Sequence, residues 1–171
     1  VAIRGFSSDA LENATYCVHE NDLMDLIYVQ VPGLELLPPF SGEAEVLDQI
    51  MTLGYPKIPG YHNFLAAETA TVSSRFTATV GSVAASAEDI WIRENLLLIT
   101  ARIQGGNSGG PIVNSSGQIV GISVNTAQGE GNYDDLGYGT AIPISFIDDD
   151  ILGNKACKLF DATGIEFIDF D

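Results

Sequence analysis

The sequence is short of basic residues, histidine and cysteine, and each shortage closes off a class of function. Seven Lys and Arg stand against 23 Asp and Glu, a formal charge of −16. Such a surface repels phosphate backbones and anionic membranes within a Debye length, so nucleic acid is not an expected partner. The acidic groups are scattered, with Asp148-Asp149-Asp150 the longest run, and read as a solvated surface rather than a binding tail. No apolar stretch approaches the roughly 18 to 20 residues of a membrane helix, so membrane insertion is not expected either. Cys17 and Cys157 allow one bridge or two free thiols, and both alternatives stay open. They do not make a disulfide framework. Without a CxxC pair or a Cys/His cluster, no metal site and no cofactor are expected.

Long helical patterns are missing too. What is present is a series of short β-rich runs punctuated by Gly, Pro, Asn and Ser, the pattern of barrels and sandwiches. Leu26–Val31 is one run, closed by Pro32-Gly33, and Gln49–Leu53 is another, closed by Gly54-Tyr55-Pro56. The stretch 56–60, with two prolines and a glycine, is the expected linker between two lobes. Phe76–Val80, Leu96–Thr100 and Gln118–Val124 follow as strands, the last after an Asn114-Ser115-Ser116-Gly117 turn behind Ile112-Val113. Ser145, with Asp148 three residues later, fits a capping box opening a short helix near the end. The expected division is residues 1–60, 61–152 and a tail at 153–171 with no chemistry of its own.

The chemistry concentrates in Gly105-Gly106-Asn107-Ser108-Gly109-Gly110-Pro111. A serine hydroxyl is a weak nucleophile; it needs a base for its proton and fixed donors for the oxyanion formed on the attacked carbonyl. Gly106 has no side chain to block an approaching carbonyl, so its N–H and that of Ser108 are expected to converge as an oxyanion hole. Gly109 and Gly110 allow a sharp turn, and Pro111 sends the chain into a strand. A Gly-rich turn with an incidental serine is the bland alternative, but a seven-residue run followed by a hairpin is more specific than a bare G-x-S-x-G. In an α/β-hydrolase the serine leads into a helix and the histidine follows it, yet no histidine follows Ser108. The order Asp25, His62, Ser108 imitates subtilisin, and Pro111 with its hairpin argues against that fold.

With these residues in view, the chain resembles the trypsin-like serine proteases of the chymotrypsin fold, in particular their bacterial HtrA-like and glutamyl-endopeptidase-like branches. The likeness rests on Gly106-Asn107-Ser108-Gly109-Gly110-Pro111, on Thr100-Ala101-Arg102-Ile103 before it, and on Gly121-Ile122 and Gly139-Thr140-Ala141-Ile142-Pro143-Ile144 after it. Gly54-Tyr55-Pro56 resembles the segment that closes the family's first barrel. The resemblance implies an all-β, chymotrypsin-like double β-barrel with its first barrel incomplete and a short C-terminal helix. It also implies a protein or peptide substrate and a secreted or periplasmic setting. The family's catalytic aspartate heads a strand that matches Asp25-Leu26-Ile27-Tyr28-Val29-Gln30-Val31, so Asp25 is the expected orienting carboxylate, with Asp22 the fallback. Asn107 stands where trypsin has the aspartate that pairs with a newly cut N-terminus, which points to the bacterial branches. By the same likeness Ile103 and Gln104, Val124 and Asn125, and Gly139 and Thr140 line the primary pocket.

In the family the base precedes the aspartate, on a strand of the first barrel. His19 lies six residues before Asp25 without the family's surrounding motif, and His62 follows Asp25 in the Pro-rich connection. Neither fits, and the triad histidine is expected upstream of Val1; the chain as given is expected to be inactive or nearly so. The rival is a pseudoprotease, a binding or scaffold module that has lost its base. No acidic residue falls at the pocket floor, so cleavage after Lys or Arg is not expected. A small or medium apolar residue is the expected preference, with a Glu-preferring pocket built on Arg102 or Thr140 as the alternative.

Overall fold

The computed structural model describes residues 14–19, 21–24, 26–33, 41–56, 76–124, 137–147 and 157–160. Its strands are β1 (Thr15–His19), β2 (Ile27–Gln30), β3 (Gln49–Gly54), β4 (Thr77–Glu88), β5 (Asn95–Ile99), β6 (Pro111–Asn114), β7 (Ile119–Val124), β8 (Gly139–Pro143) and β9 (Cys157–Phe160). The chain divides into two compact units, Val1–Pro38 with Asp150–Asp171, and Pro39–Asp149.

In the first unit β2, β1 and β9 form a three-stranded antiparallel sheet. β9 lies in the segment read from sequence as a tail. It pairs with β1 so that Cys157 stands opposite His19 and Cys17 opposite Leu159. The two cysteines therefore occupy adjacent strands two residues out of register.

The second unit is a closed barrel in the order β3-β4-β5-β8-β7-β6, with β6 returning to β3. Closure removes the unpaired edges that an open sheet leaves. β3, read from sequence as part of the first lobe, is the barrel strand between β6 and β4, and the units part at Pro38/Pro39 and not at residue 60. β3 alternates as the period-2 rule requires, turning Ile50, Thr52 and Gly54 inward. The core is Ile50, Val83, Leu97, Ile99, Ala101, Ile103, Ile112, Val120 and Ala141.

Strand β4 extends eight residues past the run read from sequence, and a register shift between Val83 and Ala85 carries it round the barrel. Behind β6, Asn114 makes the expected turn: its Oδ1 accepts from the N–H groups of Ser116 and Gln118, both at 3.0 Å. Residues 144–147 form a single helical turn directly after β8; the remainder of the expected helix lies outside the described residues.

Ile99 sits on the central strand of the core without solvent exposure. Ile99→Ala is expected to cost about 2 to 5 kcal/mol, because deletion leaves a cavity that a closed barrel collapses poorly. Urea unfolding measures it, and a loss below about 1 kcal/mol would contradict the packing described.

Candidate active site

The serine turn is docked on two strands of the barrel. On one side lies the end of β3. Tyr55 N–H donates to Gly106 O at 3.1 Å, and a Cβ on Gly106 would meet Tyr55 O, while one on Gly110 would meet Leu53 O. Gly106 also has φ +103, a left-handed backbone that only glycine adopts without strain. The two glycines are therefore required by contact with the end of β3, a closer reason than the open approach read for Gly106 and the sharp turn read for Gly110. Gly54-Tyr55-Pro56 is the surface against which the turn is built.

On the other side lies β7. Gly109 N–H donates to Ser123 O at 2.8 Å and Ser123 N–H to Gly110 O at 2.9 Å. The Ser123 hydroxyl donates to Asn107 O, with Gly110 O a longer contact at 3.1 Å. Ser123 is fully buried, a polar side chain that the strand pattern of Gln118–Val124 gave no reason to single out.

Asn107 closes the turn from within. Only 2% exposed, it donates its N–H to Gln104 O at 2.9 Å and receives Gln104 N–H on Oδ1 at 3.3 Å. A neutral amide fills this position without a countercharge, whereas a carboxylate here would be a buried ion requiring one. Ser108 itself is exposed. Among the described residues no acceptor takes its N–H or that of Gly106. The anchored turn thus carries an exposed serine and two backbone N–H groups that no acceptor among the described residues takes.

The segment leading into the turn is held by a hydroxyl relay that starts at buried Thr52. Thr79 Oγ1 donates to Arg102 O at 2.8 Å. Its single proton is thereby committed, so Thr52 Oγ1, at 2.6 Å, is the donor to Thr79. Next to Arg102, buried Ile103 packs on Gly139, where a Cβ would fall 2.6 Å from Ile103 Cδ1. Thr140 Oγ1 donates to Val124 O at 3.1 Å, tying β8 to β7. The Gln104 amide, turned so that its oxygen faces Arg102, accepts from Arg102 Nε and Nη2 at 3.1 Å. Ile103, Gln104, Val124, Gly139 and Thr140 are thus neighbours in one barrel; Asn125 lies outside the described residues, as do Asp25 and His62.

His19 is buried on β1, and its Nδ1 accepts the Asn21 N–H at 3.0 Å, with Asn21 O farther off at 3.4 Å. A neutral ring that accepts at Nδ1 carries its proton on Nε2, the opposite of the tautomer a triad base uses.

A closed antiparallel barrel with an anchored Gly-Asn-Ser-Gly-Gly turn defines a class, the serine peptidases of the trypsin-like kind. The family model for the trypsin-like peptidase domain matches residues 3–122, and the chain belongs to that family. It is 31% identical over 135 residues to the serine endoprotease DegS of Haemophilus influenzae, covering 77% of this chain and 36% of that protein. It is 39% identical over 70 residues to a probable periplasmic serine endoprotease, DegP-like, of Chlamydia trachomatis, covering 39% of this chain and 14% of that protein. The chain therefore spans about a third or less of these relatives.

Among solved structures, the active form of the Rv3671c protease of Mycobacterium tuberculosis superposes with TM-score 0.56 at 22% identity, covering 85% of this chain and 60% of that one. The HtrA-type protease AlgW with a decapeptide gives TM-score 0.56 at 22% identity, covering 81% and 40%. These likenesses establish a chymotrypsin-like fold.

Gly106→Ala is expected to destabilise the barrel by about 1 to 3 kcal/mol from backbone strain alone, with the contact on Tyr55 O adding to it. Thermal and urea unfolding measure the change, and an unaltered midpoint would show that the turn is not seated on β3 as described.

Proposed function

We propose that this chain carries the nucleophile half of a serine endopeptidase that hydrolyses peptide bonds through an acyl-enzyme on Ser108. The observation that carries the reading is the anchored turn itself, an exposed serine with its own N–H and that of Gly106 left for an oxyanion. In the reaction Ser108 Oγ attacks the scissile carbonyl as its proton passes to a base. The two amides hold the negative oxygen of the tetrahedral intermediate, and collapse expels the amine, which takes up the proton. Water then repeats the sequence on the acyl-enzyme. Asp25, at the head of the segment leading into β2, is the proposed orienting carboxylate. The base is an imidazole that precedes Asp25 in the family's order, and His19 stands on β1 without the motif that surrounds the family's base.

The pocket residues support a preference for a small or medium apolar side chain before the scissile bond. Ile103 packed on Gly139 narrows the floor, and the Arg102 guanidinium is engaged by Gln104 and not held ready for a substrate carboxylate. A periplasmic setting is supported by the likeness to a probable periplasmic DegP-like endoprotease, and a peptide or protein partner follows from the reaction.

Two tests apply to the natural gene product expressed from its own start codon. A fluorophosphonate is expected to label Ser108, and Ser108→Ala to abolish both labelling and peptidase activity, by at least about 10³-fold; undiminished activity would overturn the assignment. On a peptide library varied before the scissile bond, Ala, Val and Ile are expected to lead, and strong cleavage after Lys or Glu would contradict the pocket reading. Labelling that fails in the intact gene product would favour a binding module over an enzyme.

A further inference from the structure

We propose that Ser123 is a positioning residue of this site, its buried hydroxyl aiming the Ser108 N–H at the oxyanion by holding the carbonyl of the preceding residue. The inference rests on the reading of Ser108 as nucleophile and adds a residue to it. The Asn107 carbonyl and the Ser108 N–H belong to one peptide unit, planar and trans, so the two bonds point in opposite directions. Whatever fixes the carbonyl therefore fixes the amide. Asn107 O accepts from Gly110 N–H at 2.8 Å and from the Ser123 hydroxyl. One donor leaves the peptide plane free to pivot about a single hydrogen bond. Two donors, one from within the turn and one from β7, remove that freedom. With its carbonyl drawn into the barrel wall, the peptide presents the Ser108 N–H on the opposite, exposed side.

This contribution is separable from holding the turn in place. The backbone of Ser123 already docks the turn through its N–H on Gly110 O and its carbonyl under Gly109 N–H. Both bonds survive any substitution of the side chain. What the hydroxyl adds falls chiefly on Asn107 O, one peptide bond from the reacting serine, with Gly110 O the longer contact. Oxyanion stabilisation depends on donors aimed in advance at the charge that develops, so a loosened peptide plane costs the transition state more than the bound substrate.

The test compares Ser123→Ala and Ser123→Thr with the unaltered gene product on an apolar peptide substrate, with Ser108→Ala alongside. Ser123→Ala is expected to lower kcat on the order of tenfold or more, short of the hundredfold or greater cost of deleting an oxyanion donor. KM should stay within about twofold, and affinity for a tetrahedral peptide boronate should fall with kcat. Ser123→Thr keeps the hydroxyl and is expected to recover most of the loss. If Ser123→Ala keeps kcat within about twofold while Ser108→Ala is inactive, the positioning role is overturned and the nucleophile assignment stands. If Ser108→Ala remains active, it is the nucleophile assignment that fails. Should Ser123→Ala not fold, Ser123→Thr against Ser123→Val, equal in shape and differing in the hydroxyl, reads the same effect. Amide exchange of the unaltered protein provides a readout free of any variant. The Ser108 N–H is expected to exchange fast without ligand, and strong protection would show that it points into the fold.

Discussion

Everything in the candidate site depends on how the peptide linking Asn107 and Ser108 is held. Its carbonyl is bound inward by Gly110 and Ser123, and Gly106 and Gly110 bring the turn so close to the end of β3 that no side chain fits between. Loops are ordinarily the mobile part of a fold. Here the loop is clamped between two strands of a closed barrel, and that clamp holds the peptide carrying the Ser108 N–H. Electrostatic stabilisation of an oxyanion requires that arrangement, because donors that must first reorganise lose most of their advantage.

The surroundings extend the same logic. The Thr52–Thr79 relay fixes the carbonyl of Arg102, and the Asn107 side chain closes the segment 104–107 on itself. Buried Ser123 and Asn107 are both satisfied by backbone groups of the segment 104–110, so the hydrogen bonds that avoid a desolvation cost also set the geometry. The neutral Asn107 completes the turn from local contacts alone. Gly105 to Gly110, which form the turn, and Ser123, which holds it, are all neutral.

Much of this was legible in the sequence where the determinants are local. Seven consecutive residues spell out the turn, and the runs at 49–53, 96–100 and 118–124 match β3, β5 and β7 to within a residue or so. What escaped is non-local. β3 was read with the first lobe because nothing in Gln49–Gly54 announces that its partners are β4 and β6, the latter some sixty residues on. β9 pairs with β1 across almost the whole chain. The length of β4 was hidden by its Ala- and Ser-rich second half, which carries little strand propensity of its own. Ser123 was read only as one residue of a strand, because its role exists only once β7 has been laid beside the turn. Gly54-Tyr55-Pro56 resembles the family's barrel-closing segment in sequence, and only the fold makes it the bed of the serine turn.

The most direct measurement is a crystal structure of the natural gene product with a peptide aldehyde or boronate. A covalent bond to Ser108 Oγ is expected, with the adduct oxygen within about 2.7 to 3.1 Å of the N–H groups of both Gly106 and Ser108 and the Asn107 carbonyl still on Ser123. An adduct on another residue, or one whose oxygen lies away from both amides, would contradict it.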